Sequence, residues 1–315
     1  MLNRPAMRGQ AVLLTAVGIG VTLLSLQGGS LLGPMGAVLN LLTPVAAAYL
    51  SMRFGLRTGI VVVAVVSLLL LQLAPIYTLT AYLGLFGVGS LLLPWFLQQR
   101  QSWDRAVFFS VAGAVLVTIA MALVALLTSE GRIDQLVGQV IQAEVDQAMR
   151  IYREAGFSES QLQQLQEVVD SLATFIKQTF YGLFVAGVLA IQFLCLAILQ
   201  WLKKNHYQIS GSRFANWRLP AGLIWGLIVA GFAMFFAPLE ALALLGRNLL
   251  AILLPLYFLQ GLAVVSSYLQ RKAYPPAVKG LIYALVFILN PMPLIITGVG
   301  VFDLWIDFRK PRNKD

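Results

Sequence analysis

Residues 178–204 read QTFYGLFVAGVLAIQFLCLAILQWLKK, and the 24 residues 179–202 carry no charge before Lys203 and Lys204 close the run. As a helix that run is about 36 Å long, enough to cross roughly 30 Å of hydrocarbon. Outward from it the pattern recurs. Further apolar stretches fall at about 10–27, 35–52, 59–75, 77–98, 106–128, 219–237, 248–270 and 280–302. The chain is 59% apolar and only 11% charged, against roughly a quarter charged in ordinary soluble domains. Mean hydropathy is +0.82. This composition excludes a soluble globular enzyme and predicts an all-α, polytopic helical membrane protein. The first stretch follows Arg4 and Arg8, yet Leu24-Ser-Leu-Gln27 offers no small-x-small cleavage site, so it reads as a retained helix.

Single residues exclude further classes. The lone cysteine, Cys195, lies inside an apolar run, and the lone histidine, His206, lies in a basic connection. A zinc centre needs several converging ligands, and a Ser-His-Asp or Cys-His arrangement needs its members within reach of each other. No enzyme, metal or cofactor is therefore expected.

Lys and Arg concentrate in alternate connections: Arg4 and Arg8; Arg53 and Arg57; Arg100 and Arg105; Lys203, Lys204, Arg213 and Arg218; Arg271, Lys272 and Lys279; Arg309, Lys310, Arg312 and Lys314. These hold 17 of the 22 basic residues. The positive-inside rule makes those connections, and the amino terminus, cytoplasmic. The connections at 28–34 and 75–77 carry no charge, as short external turns would. The basic residues lie beside membrane helices, where they set topology and meet anionic lipid; a nucleic-acid partner is not expected.

The span 129–178 has the opposite balance. It holds eight of the thirteen acidic residues and four basic ones, a net −4 in a chain of net +9. Ile133, Leu136, Val137, Val140, Ile141 and Val145 follow helical spacing, as do Leu162, Leu165, Val168, Val169, Leu172, Phe175 and Ile176. Gly156 ends a first helix, and Ser158 with Gln161 has the form of a capping box opening a second, which runs on into the sixth membrane segment. Two readings stand for this external hairpin: apolar faces packing on each other, or a lid or docking surface for a partner.

At the carboxyl end, Asn290-Pro-Met-Pro293 divides the last run into halves of about eleven residues, each about 16 Å long as helix. Proline removes a backbone donor and bars a continuous helix. A re-entrant pair would return the basic tail to the cytoplasm; a kinked single span would leave it outside. Transporters place such breaks at binding sites. The expected layout is eight spanning helices plus this broken or re-entrant segment, organised as an amino-terminal five-helix half at 1–128, the hairpin at 129–178 and a carboxyl-terminal half at 179–315.

Few ionisable groups lie between helix ends. Glu240, after Pro238 and near Arg247, is the acid closest to an apolar run. The uncharged polar residues at depth are Asn40, Thr43, Gln72, Gln192, Gln260, Asn290 and Thr297, each a candidate for interhelical glue or for a ligand. Candidate substrate contacts are Asn40, Thr43, Gln72, Asn290, Pro291, Pro293 and Glu240. Gly222-Leu-Ile-Trp-Gly226 is a small-xxx-small pair suited to close helix approach, and Gly28, Gly29, Gly33 and Gly36 surround Pro34 in an external loop. No glycine cluster has the context of a phosphate loop.

The tail Gly300-Val-Phe-Asp-Leu-Trp-Ile-Asp-Phe-Arg-Lys310, read as a helix, sets Val301, Leu304, Trp305 and Phe308 on one face and Asp303, Asp307 and Lys310 on the other. Asp303 and Asp307, one turn apart, could share a cation; an interfacial anchor is the other reading. Arg53, Arg57, Asp303, Trp305, Asp307 and Arg309 are the candidate topology and interface residues.

That tail, with Arg53-Phe-Gly55-Leu-Arg57-Thr-Gly59, resembles the YybS-like family of bacterial membrane proteins of unassigned activity. The resemblance implies several amino-terminal spans, an external helical insert and a terminal Phe-Arg pair, with no catalytic residue to carry over. It also implies distant similarity to the substrate-binding subunits of energy-coupling-factor vitamin transporters, which work with a separate ATPase module. The expectation is thus a multi-pass bacterial inner-membrane protein that binds or moves a small molecule through a cavity among its helices. The alternative is a non-transporting scaffold recruiting an envelope partner through 129–178.

Overall fold

The computed structural model describes residues 4–32, 34–128, 133–203, 206–236, 239–272 and 274–310. Gly33, Glu130, Lys204, Pro238, Arg312 and Lys314, and the side chains of Arg4, Arg8, Ile133, Asp134 and Leu136, lie outside the described part. The described residues are helices and loops, with one isolated bridge between Ser102 and Ser210. Six helical stretches are long and apolar enough to cross a membrane: Gly9–Gly28, Leu56–Leu73, Ile76–Gln98, Trp103–Ala125, Glu159–Leu202 and Glu240–Arg271. A bent pair, Pro276–Ile288 with Met292–Ile306, passes the same test jointly.

The chain forms two compact units. The first comprises residues 1–133 and 187–211. Its helices are α1 (Arg4–Leu32), α2 (Pro34–Asn40), α3 (Thr43–Phe54), α4 (Leu56–Leu73), α5 (Ile76–Tyr82), α6 (Val88–Gln98) and α7 (Trp103–Thr128). A π-helical turn, Leu83–Gly87, joins α5 to α6. The carboxyl-terminal part of α9 (Glu159–Leu202) completes the unit. Its core is Ala47, Leu50, Val62, Val63, Val66, Leu70, Tyr82, Phe86 and Ile191.

The expected 35–52 segment is two helices parted by a turn at Leu41-Leu42, its longest apolar piece being Val38–Phe54. The 28–34 connection is largely helix rather than turn, since α1 runs to Leu32 and α2 starts at Pro34. A methyl group added at Gly28 would sit 3.0 Å from the Gly36 carbonyl oxygen. The glycines expected in an external loop therefore include a helix-helix contact.

The second unit comprises residues 134–186 and 212–315. It holds α8 (Ile133–Glu154) from Asp134 onward, the amino-terminal part of α9, α10 (Leu223–Phe236), α11 (Glu240–Arg271), α12 (Pro276–Ile288) and α13 (Met292–Ile306). The α8–α9 hairpin turns at Gly156, φ 81°, a left-handed conformation glycine adopts without steric cost. The capping box forms: the Ser158 N–H donates to Gln161 Oε1 at 2.9 Å, and the Gln161 N–H reaches Ser158 Oγ at 3.4 Å. Val145, Met149 and Leu162 are buried between the two helices, with Ile141, Tyr152, Val169 and Ala173 packed around them. At 44 residues α9 is about 66 Å long, roughly twice the hydrocarbon thickness. The expected 219–237 segment is shorter, because helix begins only at Leu223, after Pro220 and Gly222.

The run at 280–302 is broken as its prolines require. The two halves are bent by 104°. Val286 from one half and Ile296 from the other join Leu262 of α11 in a shared cluster. Close packing on α11 rests on glycine. A methyl group at Gly261 would overlap the Ile296 carbonyl oxygen, and one at Gly300 would overlap that of Tyr257. The pair Gly222 and Gly226 makes no such approach: Gly222 has open space around it and Gly226 only an ordinary 3.6 Å neighbour in Leu253.

Candidate functional site

A polar assembly of the second unit gathers where α13 ends. The helix stops at Ile306 because Asp307 adopts a left-handed φ of 46°, a conformation Asp tolerates better than most side chains. The chain then turns back, with the Lys310 N–H donating to the Asp307 carbonyl at 3.1 Å. This reversal sets Arg309 against Asp303, Nη2 to Oδ2 at 2.9 Å, with side chains 7% and 0% exposed. Arg309 Nη1 also donates to the Ala215 and Trp217 carbonyls at 3.1 and 2.7 Å. A planar guanidinium serves several acceptors at once, which an ammonium does less well.

Gln260 of α11 completes the assembly. Its Oε1 accepts the Leu219 N–H at 2.9 Å, and its Nε2 donates to the Gly300 carbonyl at 3.0 Å and to Asp303 Oδ2 at 3.4 Å. One buried amide thus ties the 212–222 loop to α11 and α13. Asp303 Oδ1 is buried with no hydrogen-bond partner among the described residues. At the rim, Asp307 pairs with Arg218 and Lys310, and Arg271 Nη2 donates to the Phe308 carbonyl at 3.2 Å.

Partial desolvation works to raise the Asp307 carboxyl, but hydrogen bonds and charge from Arg218 and Lys310 outweigh it and hold the group below its usual range. Burial draws Arg309 below its ordinary value, opposed by the charge of Asp303; an arginine remains protonated throughout.

The two carboxylates of this tail do not share one cation. Asp303 and Asp307 take separate basic partners. On the two faces, Asp303 is buried, while Leu304, Trp305 and Phe308 are exposed. In lipid the favourable arrangement turns apolar groups outward and satisfies charge inside the protein. Helical spacing alone does not reveal the partnership of Arg218 or the depth of Gln260; a lone glutamine in an apolar run was the signal for the second.

Asn290 and Pro291 are exposed between the two half-helices, and Pro293 is half-buried. The Pro291 carbonyl accepts the Leu294 and Ile295 N–H groups, and Thr297 Oγ1 donates to the Pro293 carbonyl at 2.8 Å. Glu240 is exposed in the first turn of α11. Arg247, its expected neighbour, donates to Gln178 Oε1. Asn248 fastens α11 to α9: its Oδ1 accepts the Gly182 N–H at 2.8 Å and its Nδ2 donates to the Gln178 carbonyl at 2.7 Å.

In the first unit, Asn40 and Thr43 flank the turn between α2 and α3. Asn40 Oδ1 and Thr43 Oγ1 are buried with no hydrogen-bond partner among the described residues. Gln72 is exposed near the end of α4. The motif at 53–59 builds the α3–α4 hairpin: Gly55 takes φ 102°, and Thr58 Oγ1 meets the Leu50 and Gly55 carbonyls at 2.9 and 2.7 Å. Arg53 lies over the Phe54 ring at 5.0 Å and donates to Tyr49 Oη at 2.9 Å, while Arg57 is exposed. Gln192 is fully buried, with neither amide atom hydrogen-bonded among the described residues, and it occupies the space a side chain at Gly89 would fill.

No group of three or more His, Cys, Asp or Glu is placed to hold a metal among the described residues. No curated protein and no solved structure matches the chain. A family model described as "Predicted membrane protein (DUF2232)" matches residues 20–304, and the chain, with its apolar helices and broken carboxyl-terminal pair, belongs to that family.

Proposed function

We propose that this protein sits in a bacterial inner membrane, amino terminus in the cytoplasm, and binds or moves a small molecule without chemical conversion of it. The observation that carries this reading is the 104° break between Pro276–Ile288 and Met292–Ile306. Helices of 13 and 15 residues are about 20 and 22 Å long, each too short to cross the hydrocarbon alone. Backbone freed at such depth persists only against protein or a wet cavity, and discontinuous helices are where transporters hold substrates. A re-entrant pair also keeps Lys279 and Lys310 on one side, in accord with the alternation of basic connections. Asn290 supplies an exposed amide at the break. The resemblance to the YybS-like family, and through it to energy-coupling-factor subunits, makes a separate ATPase module the partner to seek.

The test is a thermal-shift screen of the purified full chain against vitamins, other polar metabolites and lipids, because a ligand of the native state alone raises apparent stability. A specific compound should raise the midpoint, and Asn290→Ala should abolish that shift without lowering the midpoint of the free protein. Failure of every class would remove the reading.

A scaffold role is favoured by a different observation, the α8–α9 hairpin with its own buried core. Loss of phenotype on deleting 132–176, with no ligand found, would favour it.

A further inference from the structure

We infer that the amino-terminal part of α9 pairs, in parallel and in register, with the same helix of a second copy of this chain. The face that α9 turns to α8 is marked by Leu162, Val169 and Ala173. Rotated from it by roughly 100° at 3.6 residues per turn lies another apolar line. It consists of Leu165, Val168, Leu172 and Phe175, extended at the tip by Gln161, with spacings of four, three, four and three. That is a coiled-coil seam. Val168, Leu172 and Phe175 are 57%, 55% and 55% exposed among the described residues.

Three features select a second copy. First, charge is kept off the contact. Glu167, Asp170 and Lys177 fall on the far side of α9, and the flank of the seam turned away from α8 is Gln164, Ser171 and Gln178. Like meets like there without repulsion, in a segment otherwise rich in acid. Second, α9 is unbroken from Glu159 to Leu202, so its charge-free run 179–202 fixes orientation and depth. Two copies in one bilayer bring Leu165, Val168 and Leu172 to equal heights, pointing the same way, and confinement to the membrane raises their effective concentration. Third, a groove of about 330 Å³ lined by Phe157, Gln161, Gln164, Leu165 and Val168 lies at the tip of the seam, where a partner's side chains would enter. The inference is independent of what the protein binds.

The test is disulfide scanning of the full chain in native membranes, in a Cys195→Ala background. Leu165→Cys, Val168→Cys and Leu172→Cys are compared with the far-face variants Gln163→Cys and Asp170→Cys. Seam positions should give covalent dimers several-fold more efficiently than far-face positions. In a lipid nanodisc, Val168→Lys with Leu172→Lys should reduce the particle from two copies to one while the helical circular dichroism is kept. Flat or absent cross-linking would overturn the inference, as would a peak at residue 163 or 170. So would an adduct at residue 168 with a different protein in place of the dimer, or quenching of a fluorophore at residue 172 by brominated lipid.

Discussion

Asp303 and Arg309, six residues apart, form a buried ion pair of 2.9 Å across the end of α13, and the same guanidinium holds the carbonyls of Ala215 and Trp217. Removing Arg309 would leave the Asp303 carboxylate buried and uncompensated, at a cost of about 3–5 kcal/mol. Arg309→Ala should lower the unfolding midpoint of the detergent-solubilised protein accordingly. Arg309→Lys should recover only part of it, because one ammonium cannot reproduce the fork. An unchanged midpoint in Arg309→Ala would show that the pair does not hold the tail.

Glycine sets how closely α13 approaches α11. Gly300→Ala or Gly261→Ala meets backbone oxygen, which cannot rotate away as a side chain can, and should cost at least the ~1–3 kcal/mol typical of overpacking. Gly298→Ala has open space around it and should be neutral, or stabilising by up to about 1 kcal/mol from helix propensity. Parallel melting curves of the three variants separate steric contact from propensity.

Gln192 tests the polar interior of the first unit. An amide left unsatisfied when buried costs about 1–3 kcal/mol, and both of its polar atoms lack partners among the described residues. Gln192→Met, similar in volume and without the amide, should raise the midpoint. It should also relieve the destabilisation of Gly89→Ala, giving a non-additive cycle. A fall in Gln192→Met would reveal an occupant that satisfies the amide.

The predicted acid response follows from Asp307. Its carboxyl is held low by Arg218 and Lys310, so its contribution to stability is present above the unfolded value of about 3.9 and fades as pH falls through the lower folded value. Asp307→Asn should be less stable than wild type at neutral pH. The gap between the two should close below about pH 4, as read from midpoints across a pH series.

The membrane class was legible in uncharged runs such as 179–202, since the bilayer is a solvent that tolerates almost nothing else. The break at 290–293 and the turn at 156–158 were legible for an equally local reason: two prolines within three residues remove backbone donors and favour a break, and glycine with a capping box stops one helix and starts the next. The Asp303–Arg309 pair was not, because it depends on Asp307 reversing the chain and on a loop 92 and 94 residues away in sequence supplying carbonyls. Helical spacing separated Asp303 from the apolar face but did not show that Arg309 would bury it. Gly261 and Gly300 stood unmarked in apolar runs, each facing a residue on another helix rather than a second glycine four positions on. The turn at Leu41-Leu42 likewise interrupts a stretch whose composition is continuous.

In the proposed re-entrant arrangement, the broken pair returns the chain to the side it came from. In a Cys195→Ala background, Lys279→Cys and Lys310→Cys can each be challenged in intact cells with a membrane-impermeant maleimide, before and after permeabilisation. Both should resist the reagent in intact cells and react only once the membrane is opened. Protection of residue 279 together with external labelling of residue 310 would mean that 276–306 crosses once, and the re-entrant site would be contradicted.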